Sequence, residues 1–183
     1  MKIFIALTLF FGSGILVPQS AVQGAADALI TPGLAVIPVI SSVSAGAEHT
    51  CMVRDATVWC TGSNSRGQLG TGSLTKTIAL SPSIMTNAVM VDVAGSTSCA
   101  VRTDATVWCW GTVATSLDIE TSKTTTIDSP VPLQVPLTNV RTVSVGRAHS
   151  CATKHDDTVW CWGANTRGQL GNNTRLDSVL PVR

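Results

Sequence analysis

Charge is scarce in this chain and nowhere concentrated. Only 13% of the 183 residues are Asp, Glu, Lys or Arg, and the formal net charge is +1; a usual share would be about 25%. No run of lysine or arginine occurs, so the electrostatic footprint that nucleic acid or an anionic membrane surface requires is missing, and neither is expected as a direct ligand. No two cysteines stand in a C-x-x-C spacing, the commonest zinc signature. No Ser-His-Asp set, carboxylate pair or phosphate-cradling glycine loop stands outside the repeated text described below. The sequence therefore supplies no catalytic, cofactor or metal residue, and the chain reads as a non-enzyme that takes no cofactor.

A long apolar run is also lacking. The longest, IFIALTLFFGSGILV from Ile3 to Val17, falls short of the roughly 20 residues a transmembrane helix needs. It follows Met1-Lys2, breaks at Pro18, and gives way to small residues at Ala21, Gly24, Ala26 and Ala28. That pattern is a secretory signal peptide, so residues 1–28 are expected to be a signal and cleavage region and 29–183 the mature domain. No cysteine near the cleavage region suggests a lipid anchor, and no membrane association is expected after cleavage. The location implied is secreted or periplasmic, within the cell envelope, where thiols oxidise.

What the chain does have is repetition. VSAGAEHTCMVRDATVWCTGSNSRGQLG in the first third is nearly rewritten as VSVGRAHSCATKHDDTVWCWGANTRGQLG in the last, and a worn copy, VDVAGSTSCAVRTDATVWCWG, lies between them. The glycines before the first cysteines, Gly46, Gly95 and Gly146, stand 49 and 51 residues apart. A period near fifty points to propeller blades or a solenoid, with repeats at approximately 37–86, 87–137 and 138–183. Abundant Thr, Val and Ser, punctuated by Gly and Pro, suit short strands and tight turns. The middle copy loses the downstream G-Q-L-G, and its replacement TVATSLDIETSKTTTIDSP reads as a polar loop.

Each copy folds on paper into a β-hairpin around Asp55-Ala56, Asp104-Ala105 or Asp156-Asp157. If Asp55 and Ala56 form a two-residue loop, Arg54 faces Thr57 as a hydrogen-bonded pair, and counting outward sets Cys51 opposite Cys60 on a non-hydrogen-bonded pair. There the Cα atoms lie about 4.5 Å apart, a separation a disulfide tolerates. Cys99 and Cys109 are symmetric about Asp104, and Cys151 and Cys161 about Asp156. Three local disulfides follow, each closing a loop of about ten residues and stabilising its hairpin by roughly 2 to 3 kcal/mol. The rival reading is zinc held by His49, Cys51 and Cys60 or by His149, Cys151 and Cys161; threefold repetition and an oxidising compartment favour scaffolding.

In TVWCWG the side chains of Thr106, Trp108 and Trp110 share one face and those of Val107 and Cys109 the other. Neither face is polar enough for water, so both are expected to be buried between stacked sheets. Trp59, Trp108 and Trp160 occupy one repeat phase and are assigned to that packing.

The succession G-x-x-H-[ST]-C, D-x-T-V-W-C-W-G and N-x-x-G-Q-L-G resembles the repeat of the regulator of chromosome condensation (RCC1) family, here of an exported, bacterial type. The resemblance covers Val43 to Gly72 and Val143 to Gly171 well and Val91 to Gly111 in part. It implies an all-β fold of about three four-stranded antiparallel propeller blades, forming an incomplete propeller or arc. SPSIM and SPVPLQVPLTNV match the linkers expected between repeats, and SVLPVR at Ser178 to Arg183 reads as the linker opening a fourth. By the same likeness Gly67, Gly70, Gly168 and Gly171 are turn residues with unusual backbone angles. His49 and His149 are structural hydrogen-bonders, with Ser98 filling their place in the middle copy.

The function implied is an exported, disulfide-braced binding module that mediates protein–protein or cell-surface contact. An enzyme inhibitor is one concrete form, and the partner is an unknown protein or cell-surface polymer. Arg66 and Arg167, at matching places in N-S-R-G and N-T-R-G, are the candidate partner-binding residues. The open ends of a three-blade arc, rich in Trp and Val, suggest self-association. The alternative, by family analogy only, is a guanine-nucleotide exchange factor-like regulator of a small GTPase.

Overall fold

The computed structural model describes residues 37–118 and 120–183; the expected signal peptide lies outside them. Regular structure among the described residues is entirely β. The first sheet runs β1 (Ile40–Ala45), β2 (His49–Arg54), β3 (Thr57–Gly62) and β4 (Thr77–Thr86). The second runs β5 (Ala88–Ala94), β6 (Thr97–Arg102), β7 (Val107–Asp118) and β8 (Lys123–Gln134). The third runs β9 (Val140–Val145), β10 (His149–Lys154), β11 (Val159–Gly163) and β12 (Ser178–Val182). Within each sheet the strands neighbour one another in chain order and pair antiparallel, a meander.

The central hairpins take their register from their turns. Asp55 and Ala56 both have positive φ, 49° and 57°, which is the two-residue turn whose twist suits a right-handed ribbon. It pairs Arg54 with Thr57 and, three steps on, Cys51 with Cys60. The other two hairpins carry one more loop residue and place a single residue, Ala105 or Asp157, at positive φ of 59°. Their registers set Cys99 opposite Cys109 and Cys151 opposite Cys161. All three pairs are disulfides, with Cα separations of 4.2, 4.1 and 4.0 Å.

Two expectations are corrected. Residues 135–139 do connect β8 to β9, but SPSIM, the SPVPLQ half of SPVPLQVPLTNV, and SVLPV are not connectors: they lie in β4, β8 and β12, the outermost strand of each sheet. Proline is tolerated there because the N–H it lacks faces away from any neighbour strand. The polar stretch of the middle copy is no loop either. It extends β7 and β8 into a long hairpin with Leu117 opposite Thr124 and Asp118 opposite Lys123, as its β-branched Thr and Val content allows.

The second sheet lies between the other two, and its faces divide as the alternation of TVWCWG requires. Trp110, Ala100, Val91 and Val93 join Cys51, Val53, Val58, Cys60 and Leu69 of the first repeat in one core. Val107, Cys109, Cys99 and Val101 join Val143, Val145, Ala152 and Trp162 of the third in another. Each disulfide of the first two sheets thus packs against the next sheet's tryptophan face. The deeply buried indoles are Trp110 and Trp162, not the phase assigned from sequence. Trp108 and Trp160 only flank these cores. Trp59, Trp108 and Trp160 are half-buried and lie under a cation at the hairpin turn: Arg54 at 5.2 Å, Arg102 at 5.7 Å and Lys154 at 5.6 Å from the ring centres.

Candidate partner-binding surface

The loops after β3 and β11 hold the two arginines singled out from the sequence, and both loops are built around a fully buried asparagine. Asn64 Oδ1 accepts from Leu69 N at 2.9 Å, while its Nδ2 donates to the carbonyls of Ser73 and Thr75 at 2.9 and 3.0 Å. Asn165 repeats this with Leu170 N and the Leu176 carbonyl. Gln68 and Gln169 each accept from the backbone N–H two residues earlier, at Arg66 and Arg167, at 2.9 Å. Gly67, Gly70, Gly168 and Gly171 all have φ between 65° and 80°. At Gly67 a Cβ would also come within 2.5 Å of Pro130 Cα, so only glycine lets the first loop seat against the second sheet.

The two arginines differ in setting. Arg66 Nη1 donates to Asp128 Oδ2 at 2.8 Å, and Thr112 Oγ1 donates to the other carboxylate oxygen at 3.0 Å, which ties the first loop to the β7–β8 hairpin. The pair is solvent-exposed, and such pairs add little stability. Arg167 is exposed and has no carboxylate partner among the described residues. They stand on loops of the first and third sheets, and of the two only Arg66 borders the cleft described below.

Between the first two sheets the first loop becomes part of the seam. The Gln68 carbonyl accepts from Ser98 Oγ at 2.7 Å and from Trp110 Nε1 at 2.9 Å. His49 completes the arrangement, its Nε2 lying 2.9 Å from Ser98 Oγ. Burial lowers the His49 pKa below its ordinary value, with nearby Glu48 opposing, which favours the neutral imidazole. The residue opposite Gly111, in the place His49 and His149 hold in their copies, is Thr97. This corrects the alignment of Ser98 with the histidines: Ser98 is the hydrogen-bond partner of His49 from the next repeat. One residue fewer separates Gly95 from Cys99 than separates Gly46 from Cys51, and that deletion hides the correspondence.

Asp92 on β5 was not identifiable from sequence. Its Oδ1 accepts from Ser44 Oγ at 2.6 Å and its Oδ2 from Val145 N at 2.7 Å, so one carboxylate joins all three sheets near their first strands. Beside it, Ser42 Oγ donates to the Val91 carbonyl at 3.1 Å.

Between the second and third sheets lies a cleft of about 750 Å³. Val113, Val135, Ser150 and Trp162 line it, Arg66 and Arg147 stand along it, and β12 contributes Val179 and Leu180. Its far rim is closed by the β7–β8 hairpin, where Thr124 N donates to Asp177 Oδ2 at 3.0 Å. Among the described residues no group of three His, Cys, Asp or Glu could hold a metal ion. No helix among the described residues is long and apolar enough to cross a membrane.

Three four-stranded meanders packed face to face, each covering the next, define an open arc of β-propeller blades. The chain carries repeats of the regulator of chromosome condensation (RCC1) family: one profile of that repeat matches residues 40–68 and 140–169, and a second matches 156–183. The matched residues fall in the first and third blades. Among solved structures, human WBSCR16 is similar at 22% identity and a TM-score of 0.64, over 78% of this chain and 37% of that one. Prp20p of Saccharomyces cerevisiae is similar at 23% identity and a TM-score of 0.60, again over 78% and 37%. The yeast RCC1 (Prp20) chain bound to Kap60 gives 23% and 0.59 over the same shares. The chain thus spans about 37% of the length of these structures.

Proposed function

We propose that the chain is an exported, disulfide-braced binding module that presents the loops after β3 and β11 to another protein or to a cell-surface polymer, with enzyme inhibition as one form of that role. The observation that carries this reading is the set of three disulfides, one inside each central hairpin, with no free cysteine among the described residues. Such bonds persist in oxidising compartments and are rare in reducing ones. Protein binding is also what is stated of the yeast relative, which is described with binding properties to Gsp1p and histones and in a complex with Kap60. On this reading Arg167 is the free contact residue, and Arg66 contributes after exchanging Asp128 for a partner's carboxylate.

Chemical cross-linking followed by affinity capture from the source organism's envelope and medium, with the oxidised domain as bait, tests the reading. A specific partner lost on Arg167→Glu is the expected result; capture of cytosolic proteins alone would overturn it. N-terminal sequencing of the native protein is expected to begin between Val22 and Leu29, and a protein beginning at Met1 would remove the argument for export. Self-association belongs to the same reading: Val43 on the first blade is 66% exposed and Val159 on the third 52%. Light scattering is expected to show dimers or larger assemblies; a monodisperse monomer would remove that part.

A further inference from the structure

The three blades are copies, so each seam between them is a template for the other, and the two seams are not equally filled. In the first, the loop after β3 lies over the second blade. Its Gln68 carbonyl takes the Ser98 hydroxyl and the Trp110 indole N–H at 2.7 and 2.9 Å, and Leu69 is completely buried beside them. In the second seam the receiving residues are all present. Ser150 pairs with Trp162 across β10 and β11, as Ser98 pairs with Trp110 across β6 and β7. What is missing is the donor loop, because the second blade has the β7–β8 hairpin where the others have N-x-x-G-Q-L-G.

The consequences are local and specific. Ser150 and Trp162 are 5% and 7% exposed. Among the described residues the Ser150 hydroxyl has Cys99 Sγ as its partner, at 4.0 Å, and Trp162 Nε1 has no protein acceptor. Thr97, standing where a histidine would reach across, donates instead to the Thr112 carbonyl of its own blade at 2.7 Å. Both donor residues therefore border the 750 Å³ cleft, and Val113 and Val135 supply its apolar wall, as Leu69 supplies apolar packing in the first seam. An occupant that supplies a carbonyl acceptor would make there the bonds that the first loop makes intramolecularly.

The geometry points to this cleft as a receptor for a peptide turn: a glycine-containing loop of a partner protein that offers one backbone carbonyl to Ser150 Oγ and Trp162 Nε1 and a leucine-sized side chain to Val113 and Val135. The inference rests on the binding-module reading and gives that module a site at the second seam, which Arg66 of the first arginine loop borders and Arg167 does not. The occupant's chemistry is set by the filled seam, whose loop is such a turn. Exposed Arg147 at the rim favours a partner loop flanked by a carboxylate.

The probe is a backbone-cyclised peptide of sequence SNSRGQLGT, which is residues 63–71 of this chain, titrated into the oxidised full chain with indole N–H resonances followed by NMR. The expected result is a saturable shift of the Trp162 indole while the Trp110 indole, already bonded to Gln68, stays in place. Ser150→Ala is expected to weaken binding about five- to tenfold, the effect of one hydrogen bond of about 1 kcal/mol. The same peptide with serine for leucine is expected to give no saturation. Trp162→Phe identifies the resonance, and Ser150→Ala keeps the test intact if that variant folds poorly. No Trp162 shift at millimolar peptide, an equal shift with the serine peptide, or an unchanged affinity in Ser150→Ala would each overturn the proposal. A silent cleft alongside a captured envelope partner removes the cleft alone, whereas a peptide that binds while capture finds no partner removes the exported-module reading and leaves the cleft.

Discussion

His49 reaches out of the first blade and sets its Nε2 2.9 Å from Ser98 Oγ in the second, with no hydrogen-bond partner for its Nδ1 among the described residues. The ring is buried, and burial lowers its pKa from the ordinary 6.5, the nearby Glu48 carboxylate opposing. The unfolded chain therefore binds the proton more readily than the folded one. Stability from this group is complete above pH 6.5 and is lost as pH falls from there through the folded pKa.

The thermal midpoint of the wild type is accordingly expected to be flat above pH 6.5 and to fall below it. His49→Gln, which has nothing to protonate, is expected to flatten that decline while lowering the midpoint at neutral pH. The loss there is on the order of 1 kcal/mol, or about 2 to 4 °C for a chain of this size. Differential scanning fluorimetry across pH 5 to 8 checks it, and parallel curves for the two proteins would refute it. Asp104 and Asp156 add a separate contribution at lower pH. Each carboxylate is held below the usual range, first by the hydroxyl and then by the backbone N–H of the threonine two residues on. That contribution is lost only as pH falls below the ordinary carboxylate value.

Asp92 makes a second sharp prediction. Removing its carboxylate leaves Ser44 Oγ and the Val145 N–H without their acceptor on both sides of the middle blade. Asp92→Ala is expected to cost about 2 to 4 kcal/mol in urea unfolding. Asp92→Asn, which keeps one acceptor but turns an NH2 toward one of the two donors, should fall in between. An alanine variant as stable as wild type would show that the first strands do not depend on this bridge.

The hairpins were legible in the sequence because local constraints fix them. A turn of known length determines the cross-strand register, and that register alone brings Cys51 to Cys60. The alternation of TVWCWG likewise showed that both faces are covered. The outer strands were less legible, since proline marks linkers and edge strands alike, and only pairing with β3, β7 and β11 distinguishes them. Asp92 and the Ser98–His49 bond were hidden because each partner lies about fifty residues away in the chain, and a one-residue deletion obscures which positions correspond. The cleft had a visible signal, the missing G-Q-L-G of the middle copy, but its meaning depends on knowing what that loop does in the first seam.

The disulfides are expected to contribute similarly to one another, because they close loops of 9, 10 and 10 residues. Replacing both cysteines of any one pair by alanine should cost about 2 to 3 kcal/mol from loop closure. Peptide mapping of the unreduced protein should link only Cys51 to Cys60, Cys99 to Cys109 and Cys151 to Cys161. A bridge between different repeats would contradict the hairpin registers.

Trp110 and Trp162 occupy one place in two consecutive blades, so the same substitution at both compares a filled seam with an open one. Trp110 is completely buried and its indole N–H is bonded to the Gln68 carbonyl at 2.9 Å. Trp110→Phe removes that bond, leaves the carbonyl with Ser98 alone, and opens space in a packed core, at an expected cost of about 2 to 4 kcal/mol. Trp162 has no indole acceptor among the described residues and borders the cleft, so Trp162→Phe sacrifices packing and is expected to cost on the order of 1 kcal/mol. Urea midpoints at unchanged m-value report the difference. Equal losses would mean that the two seams are equally well satisfied and that the second has no unmet donor. A larger loss at Trp162 would reverse the assignment of which seam holds the blades together.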